Sequence, residues 1–355
     1  MDCFGVCAGV SVGVACRLFA VAGHDAALDR SFTLPAQMGD GVMLASLVLA
    51  LSVAFPRPGV KLPPVDACYV IGAVEAGTTN VTVAGQSVAV HPSGAWATLV
   101  PVRPGTNTLL LSAVEGGVRR EWCRSFCVAA KPKPSPSAVA LPPAKPRTYE
   151  KLAFAADEAQ KHPAGRAASD VTVVLDPGHG GNVDLGALSP HGWCEKDANL
   201  NLAKDVRSAL VRRGYRVVLT RSDDRAVALY DRPKVAHSEK AAAFVSLHYN
   251  APPVDRPAGQ IRYACVYAWN PLGQALAETV AKRMSEAQGG ELPGKGALLA
   301  NYAVTRNPEI PSCLVEVDFI THPEGEAAAW DPARRAAVAE AIASGIADWH
   351  HLPSQ

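Results

Sequence analysis

The sequence predicts an α/β domain with a mostly parallel central sheet flanked by helices, preceded by a small all-β sandwich. Three observations predict it. After Asp170, apolar β-branched runs alternate with stretches of helical spacing, the pattern of a parallel sheet covered by its crossover helices. Between residues 65 and 129, short apolar segments alternate with turn residues, which suits a sandwich. Between these two regions the chain turns proline-rich and basic, a composition that builds no core.

The elements of the second region follow in order. Residues 171–175 (VTVVL) are apolar but for Thr172 and mostly β-branched, as in a strand buried on both faces. Ala198, Leu202, Val206 and Leu210 then share one helical face, with Arg212 and Arg213 in the last turn and Gly214 as the cap. A strand at 216–220, a helix near 229–240 and strands at 243–248 and 261–268 come next. Leu272, Leu276, Val280 and Met284 mark a helix, and residues 314–319 a strand. Asp331 and Pro332 open a closing helix that buries Val338, Ile342, Ile346 and Trp349. The domain is expected to span 168–352.

In the first half, β segments are expected at 68–71, 81–83, 88–90, 95–100 and 108–114 within a domain at 65–129. Residues 130–167 form the linker, with Lys131, Lys133, Lys145 and Arg147 available to anionic polymers or merely solvated. Residues 1–64 define no domain. Their apolar run at 42–55 is too short for a membrane span, which needs about 20 residues, but suits the core of a signal peptide, with a buried helix or strand as the alternative. An exported protein of the periplasm or cell wall, with no stable membrane insertion after processing, is the resulting expectation. The 9 cysteines include no CxxC pair; Cys68 could bridge to Cys123 or Cys127, or all three could be buried thiols. A net charge of +1 supplies no field that would recruit nucleic acid.

Chemistry is sought where predicted strands end, because ligands of such sheets gather beyond the carboxyl ends. The first strand runs into Asp176-Pro177-Gly178-His179-Gly180-Gly181, and the third ends in Ser246-Leu247-His248-Tyr249-Asn250. Glu195 opens the first helix and Glu316 sits inside an apolar strand. Two histidines and a carboxylate suit a catalytic zinc, with a further carboxylate as general base. A lone histidine at a strand end is more often a hydrogen-bonded structural residue, and Glu316 could instead pair with Arg306 or Lys295. A glycine-rich turn could meet phosphate, but neither a Walker lysine nor GxGxxG is present.

Four ordered stretches, VTVVLDPGHGG, EKDANLNLAKDVRSALVRRGYRVVLTRSDDR, AAAFVSLHYNA and PSCLVEVDFITHPEGE, resemble the zinc-dependent N-acetylmuramoyl-L-alanine amidases of the amidase-3 type over about 180 residues. The resemblance implies that His179, Glu195 and His248 bind zinc and that Glu316 is the catalytic glutamate. It further implies that zinc-activated water cleaves the amide between N-acetylmuramic acid and L-alanine of the peptidoglycan stem peptide. Asp318 and His322 stand where the family usually has Gly and Asn, which puts local pocket shape in question. Asn250 and Asp176 are candidate partners of the histidines. No inserted helix is visible between Asn250 and Pro271, so no obligate activator is expected. The turn spacing of residues 65–129 resembles bacterial immunoglobulin-like accessory domains, whose expected role is spacing or wall attachment.

Overall fold

In the computed structural model, which describes residues 51–132, 163–287 and 292–352, the first region is all β. Strands β1 (Leu51–Phe55), β3 (Ala67–Val74) and β6 (Ala95–Pro101) form one sheet in the order β1-β3-β6. Strands β2 (Lys61–Leu62), β4 (Thr79–Val83), β5 (Gln86–Ser87), β7 (Gly105–Glu115) and β8 (Val118–Val128) form a second, in the order β2-β8-β7-β4-β5. Alternate residues of both sheets, Cys68 and Val70 from one and Leu109, Leu111 and Phe126 from the other, bury their side chains in one cluster with Trp96.

The structure moves the start of this region towards the N-terminus. Leu51–Phe55, the end of the apolar run at 42–55, pairs antiparallel with β3, so these residues are a strand rather than a segment outside the sandwich. The rest of that run, Cys3, Cys7 and Cys16, and most of the predicted linker lie outside the described residues. No strand forms at 88–90; Val90 makes a single bridge to Trp96. Strand β8 has no counterpart among the predicted segments, because its solvent face carries Arg119, Glu121 and Ser125 and only its far end is buried. Cys68, Cys123 and Cys127 are free thiols.

The second region is built on a six-stranded sheet of β9 (Thr172–Pro177), β10 (Arg216–Leu219), β11 (Ala243–Asn250), β12 (Ala264–Ala268), β13 (Gly294–Leu299) and β14 (Ser312–Phe319). Its order is β10-β9-β11-β14-β12-β13, and every pairing is parallel except β12 with β14. Helices α1 (Glu195–Arg212), α3 (Pro271–Ala287) and α5 (Pro332–His350) cover one face, where Leu202, Val206, Val280, Ile342 and Trp349 pack on Val173, Val245 and Val315. The short α2 (Arg232–Ser238) packs on the other face against Val174, Phe244 and Leu314. The helix predicted near 229–240 is thus shorter than its apolar spacing suggested, and α4 (Pro323–Trp330) and β13 are additions. Asp331 caps α5 as expected, accepting from the backbone N–H groups of Ala333 and Arg334.

Chain direction then fixes where a site can form. From β9 the chain crosses by α1 to β10 on one side and returns by α2 to β11 on the other, so the ends of β9 and β11 border a topological switch point. The loop that follows β11 is held by the sandwich. The Tyr69 N–H donates to the Val254 carbonyl at 2.8 Å, and Ala258 is buried against Tyr69 and Ile71. Between Ala251 and Tyr263 this loop consists of turns and extended chain.

Candidate active site

His179 lies two residues after the end of β9 and adopts φ +62°, a left-handed conformation that is costly for a residue with a Cβ. Two buried arginines hold the segment in this shape. Arg221 donates to the carbonyls of Pro177, Gly178 and Lys196, while Arg232 donates to those of Pro177 and His179 and to the Asp176 carboxylate at 2.9 Å. Gly178 is required by close approach, since a Cβ there would stand 2.1 Å from the His248 ring. Gly186 is required likewise: its φ is +68°, and a Cβ would meet the Glu195 carboxylate at 2.6 Å.

His179, Glu195 and His248 converge at the switch point, with one potential ligand atom from each lying within 4.8 Å of the others. Glu195 Oε1 lies 3.2 Å from His179 Nε2 and 3.0 Å from His248 Nδ1. Ligand bonds of 2.0–2.2 Å in a tetrahedron imply edges of roughly 3.4 Å, so these spacings fit a zinc-sized ion. Glu195 is 4% exposed, yet it is amply supplied with donors: Ala187 N–H at 2.9 Å, Asn199 Nδ2 at 3.2 Å and Tyr249 N–H at 3.3 Å. Burial pushes its carboxyl up, but both histidines outweigh burial and hold it far below the usual carboxylate range. Burial pushes His179 down, and hydrogen bonds and charge from Glu195 and Asp184 raise it to about 9.

The partner that orients His179 is Asp184, whose Oδ1 lies 2.5 Å from Nδ1. The sequence candidates for this task are otherwise engaged. Asp176 is fully buried among Thr220, Arg232 and Ser246, and Asn250 accepts from the N–H of Ala251. Glu316 faces His248 directly across the β11–β14 pairing. Neither Arg306 nor Lys295 pairs with it: Arg306 binds Asn301, and Lys295 lies over the ring of Tyr263. Its Oε2 is buried with no hydrogen-bond partner among the described residues, and burial together with the Glu195 charge pushes the carboxyl well up. Asp318 is held by Arg262 at 2.8–3.0 Å, and His322 caps α4 by accepting from the Glu324 N–H, so both departures serve packing beside the site.

The family model for N-acetylmuramoyl-L-alanine amidases matches residues 173–348. The amidase AmiA of Escherichia coli (strain K12) is 33% identical over 238 residues, covering 54% of this chain and 80% of that protein. This chain belongs to the N-acetylmuramoyl-L-alanine amidase family. A probable cell wall amidase of Staphylococcus epidermidis, LytH, is 34% identical over 49% of this chain and 57% of its own length. Among solved structures, the amidase AmiC2 of Nostoc punctiforme is 35% identical with a TM-score of 0.47, covering 50% of this chain and 96% of that one. The amidase is accordingly a peptidoglycan hydrolase that cleaves the amide joining N-acetylmuramic acid to L-alanine. No helix among its described residues is long and apolar enough to cross a membrane.

The arginines that shape the segment around His179 were not among the sequence candidates, although both follow a strand or open a helix within the matched region. Replacing Arg232 with Ala would leave the Asp176 carboxylate, 0% exposed, without its cation. We expect a loss of about 3–5 kcal/mol in urea or thermal unfolding. Replacement of an exposed arginine such as Arg119 should cost well under 1 kcal/mol in the same assay.

Proposed function

We propose that this amidase is zinc-dependent, with His179, Glu195 and His248 as the metal ligands and Glu316 as the catalytic acid and base. The observation that carries this reading is the buried Glu316 carboxyl, whose Oε2 has no hydrogen-bond partner among the described residues, set directly across the sheet from His248 of a three-residue cluster that could hold a metal. Zinc held there supplies a Lewis acid that polarises the scissile carbonyl and lowers the pKa of water towards ~7. Glu195 remains ionised, because two imidazoles and three further N–H donors stabilise its charge. Glu316 takes a proton from the attacking water and passes it to the alanine nitrogen. A C–O bond forms at the lactyl carbonyl as the C–N bond breaks. Asp184 fixes the tautomer and the aim of His179.

The test is product analysis with metal removal. A chelated sample should release no stem peptide beginning with L-alanine, and one equivalent of zinc should restore release. Product unaffected by complete chelation would remove zinc from the mechanism. Asp184→Asn should weaken zinc binding about 10–100-fold in a competition titration, as loss of an outer-shell partner does.

The remaining parts of the proposal concern context. The sandwich reads best as an immunoglobulin-like accessory domain that leads through a proline-rich linker, residues 133–162 of which lie outside the described chain, into the catalytic domain. Export to the compartment holding peptidoglycan follows from the substrate, and the turn-built loop after β11 supports activity without an obligate activator. Hydrolysis of purified peptidoglycan by the protein alone checks the last point.

A further inference from the structure

The side of the site beyond Glu316 is lined by groups that the hydrolytic step does not use. Cys265 on β12 pairs directly with Glu316 on β14, and on the far side of β12 the edge strand β13 brings up Lys295 within a register irregularity opposite Cys265. Directly paired residues of neighbouring strands share a sheet face, so Cys265 and Glu316 lie together, and Tyr263, two residues before Cys265, carries Lys295 beside them. Lys295 is exposed, and its ammonium rests 3.5 Å from the centre of the Tyr263 ring. No carboxylate among the described residues pairs with it. Tyr263 is itself fixed, edge-on to Phe319, next to Arg262, which is clamped to Asp318. The cation is therefore held on an aromatic seat, and among the described residues no carboxylate covers its other side.

The direction of the substrate follows from the proton transfer. Glu316 delivers its proton to the departing alanine nitrogen, so the stem peptide leaves from the Glu316 side, towards β12 and β13. Strands lie about 4.8 Å apart, which sets the Lys295 backbone roughly 10 Å from that of Glu316. One extended residue spans about 3.5 Å. A carboxylate on the residue after L-alanine, some two residue-lengths from the scissile bond, then falls within reach of the Lys295 side chain.

We propose that Lys295, seated on Tyr263, is a specificity-determining residue that binds a free carboxylate on the stem-peptide residue following L-alanine. The proposal rests on the assignment of Glu316 to the leaving nitrogen. It is tested with the full-length protein and two muropeptides that differ only in whether that carboxyl is free or amidated. The unaltered enzyme should favour the free acid about fivefold in kcat/KM, the order expected of a solvent-accessible ion pair. Lys295→Gln should bring the ratio close to one through KM, Lys295→Arg should keep it, and Lys295→Glu should reverse it. The same ratios should appear in binding by Glu316→Gln protein, which reads the subsite without turnover. An acid-to-amide ratio that Lys295→Gln leaves unchanged in binding would overturn the subsite. If Glu316→Gln protein keeps near-parental turnover while the binding ratio still responds to Lys295, the catalytic assignment is at fault and the subsite stands on binding alone.

Discussion

Replacing Glu316 with Gln is expected to lower kcat by ~10²–10⁴ while zinc content stays at that of the unaltered protein. The amide keeps the size of the carboxyl but cannot accept and return a proton. Its environment makes the test clean: Glu316 makes no ion pair among the described residues, and one of its oxygens is buried without a partner. Fold and metal binding should survive the change. The substitution also predicts a pH effect on stability. Burial and the Glu195 charge raise the folded-state carboxyl well above its ordinary 4.5, so the folded form holds its proton to higher pH than the unfolded chain does. That difference costs the folded state stability progressively as pH rises above about 4.5. With metal chelated, Glu316→Gln protein should therefore unfold at a higher temperature than the parent at pH 8, with the gap closing near pH 4. Turnover within tenfold of the parent, measured as L-alanine-terminated peptide released from purified peptidoglycan, would sink the catalytic assignment.

How much of this was legible in the sequence differs from element to element. Strand β9 and helices α1 and α5 are readable because burial is one-sided or complete: Val173 and Leu175, or Leu202 and Val206, recur at the period their element imposes. Strand β8 is not, because a sheet face turned to solvent tolerates arginine and glutamate, and alternation is lost where neither face is fully buried. The edge strand β13, GKGALL, carries two glycines and is exposed over its first half, so no apolar period marks it. Of the four candidate site residues, His179 stands out by its glycine turn and Glu316 as a carboxyl within an apolar strand, whereas Glu195 and His248 are marked only by their places at a helix start and a strand end. Their supports do not stand out. Asp184, Arg221 and Arg232 act on His179 across gaps of 5 to 53 residues, through contacts that only the fold creates. Asn199 had a readable signal, since it lies one helical turn after Glu195 and therefore on the same face.

Glu195→Gln should produce the opposite signature from Glu316→Gln, and the pair together separates ligand from acid and base. Glu195 accepts from Ala187, Asn199 and Tyr249 while both imidazoles approach the same carboxylate. Glutamine replaces one acceptor oxygen by an NH₂ donor, and either orientation then sets that donor against an N–H already pointing at it. The negative charge that favours a cation at the centre is lost as well. Zinc affinity should fall by more than ~100-fold, beyond the effect of losing an outer-shell partner such as Asp184. Activity at trace zinc should disappear, and excess zinc should restore part of it, because His179 and His248 remain in place. Glu316→Gln protein should show full zinc content and no such rescue. Stability of the chelated protein should move in different directions too: down for Glu195→Gln, which turns a satisfied buried carboxylate into a conflicted amide, and up at pH 8 for Glu316→Gln. A Glu195→Gln variant that kept parental zinc affinity would show that the two histidines hold the metal without it, and the carboxylate would then be a positioning group for the two imidazoles.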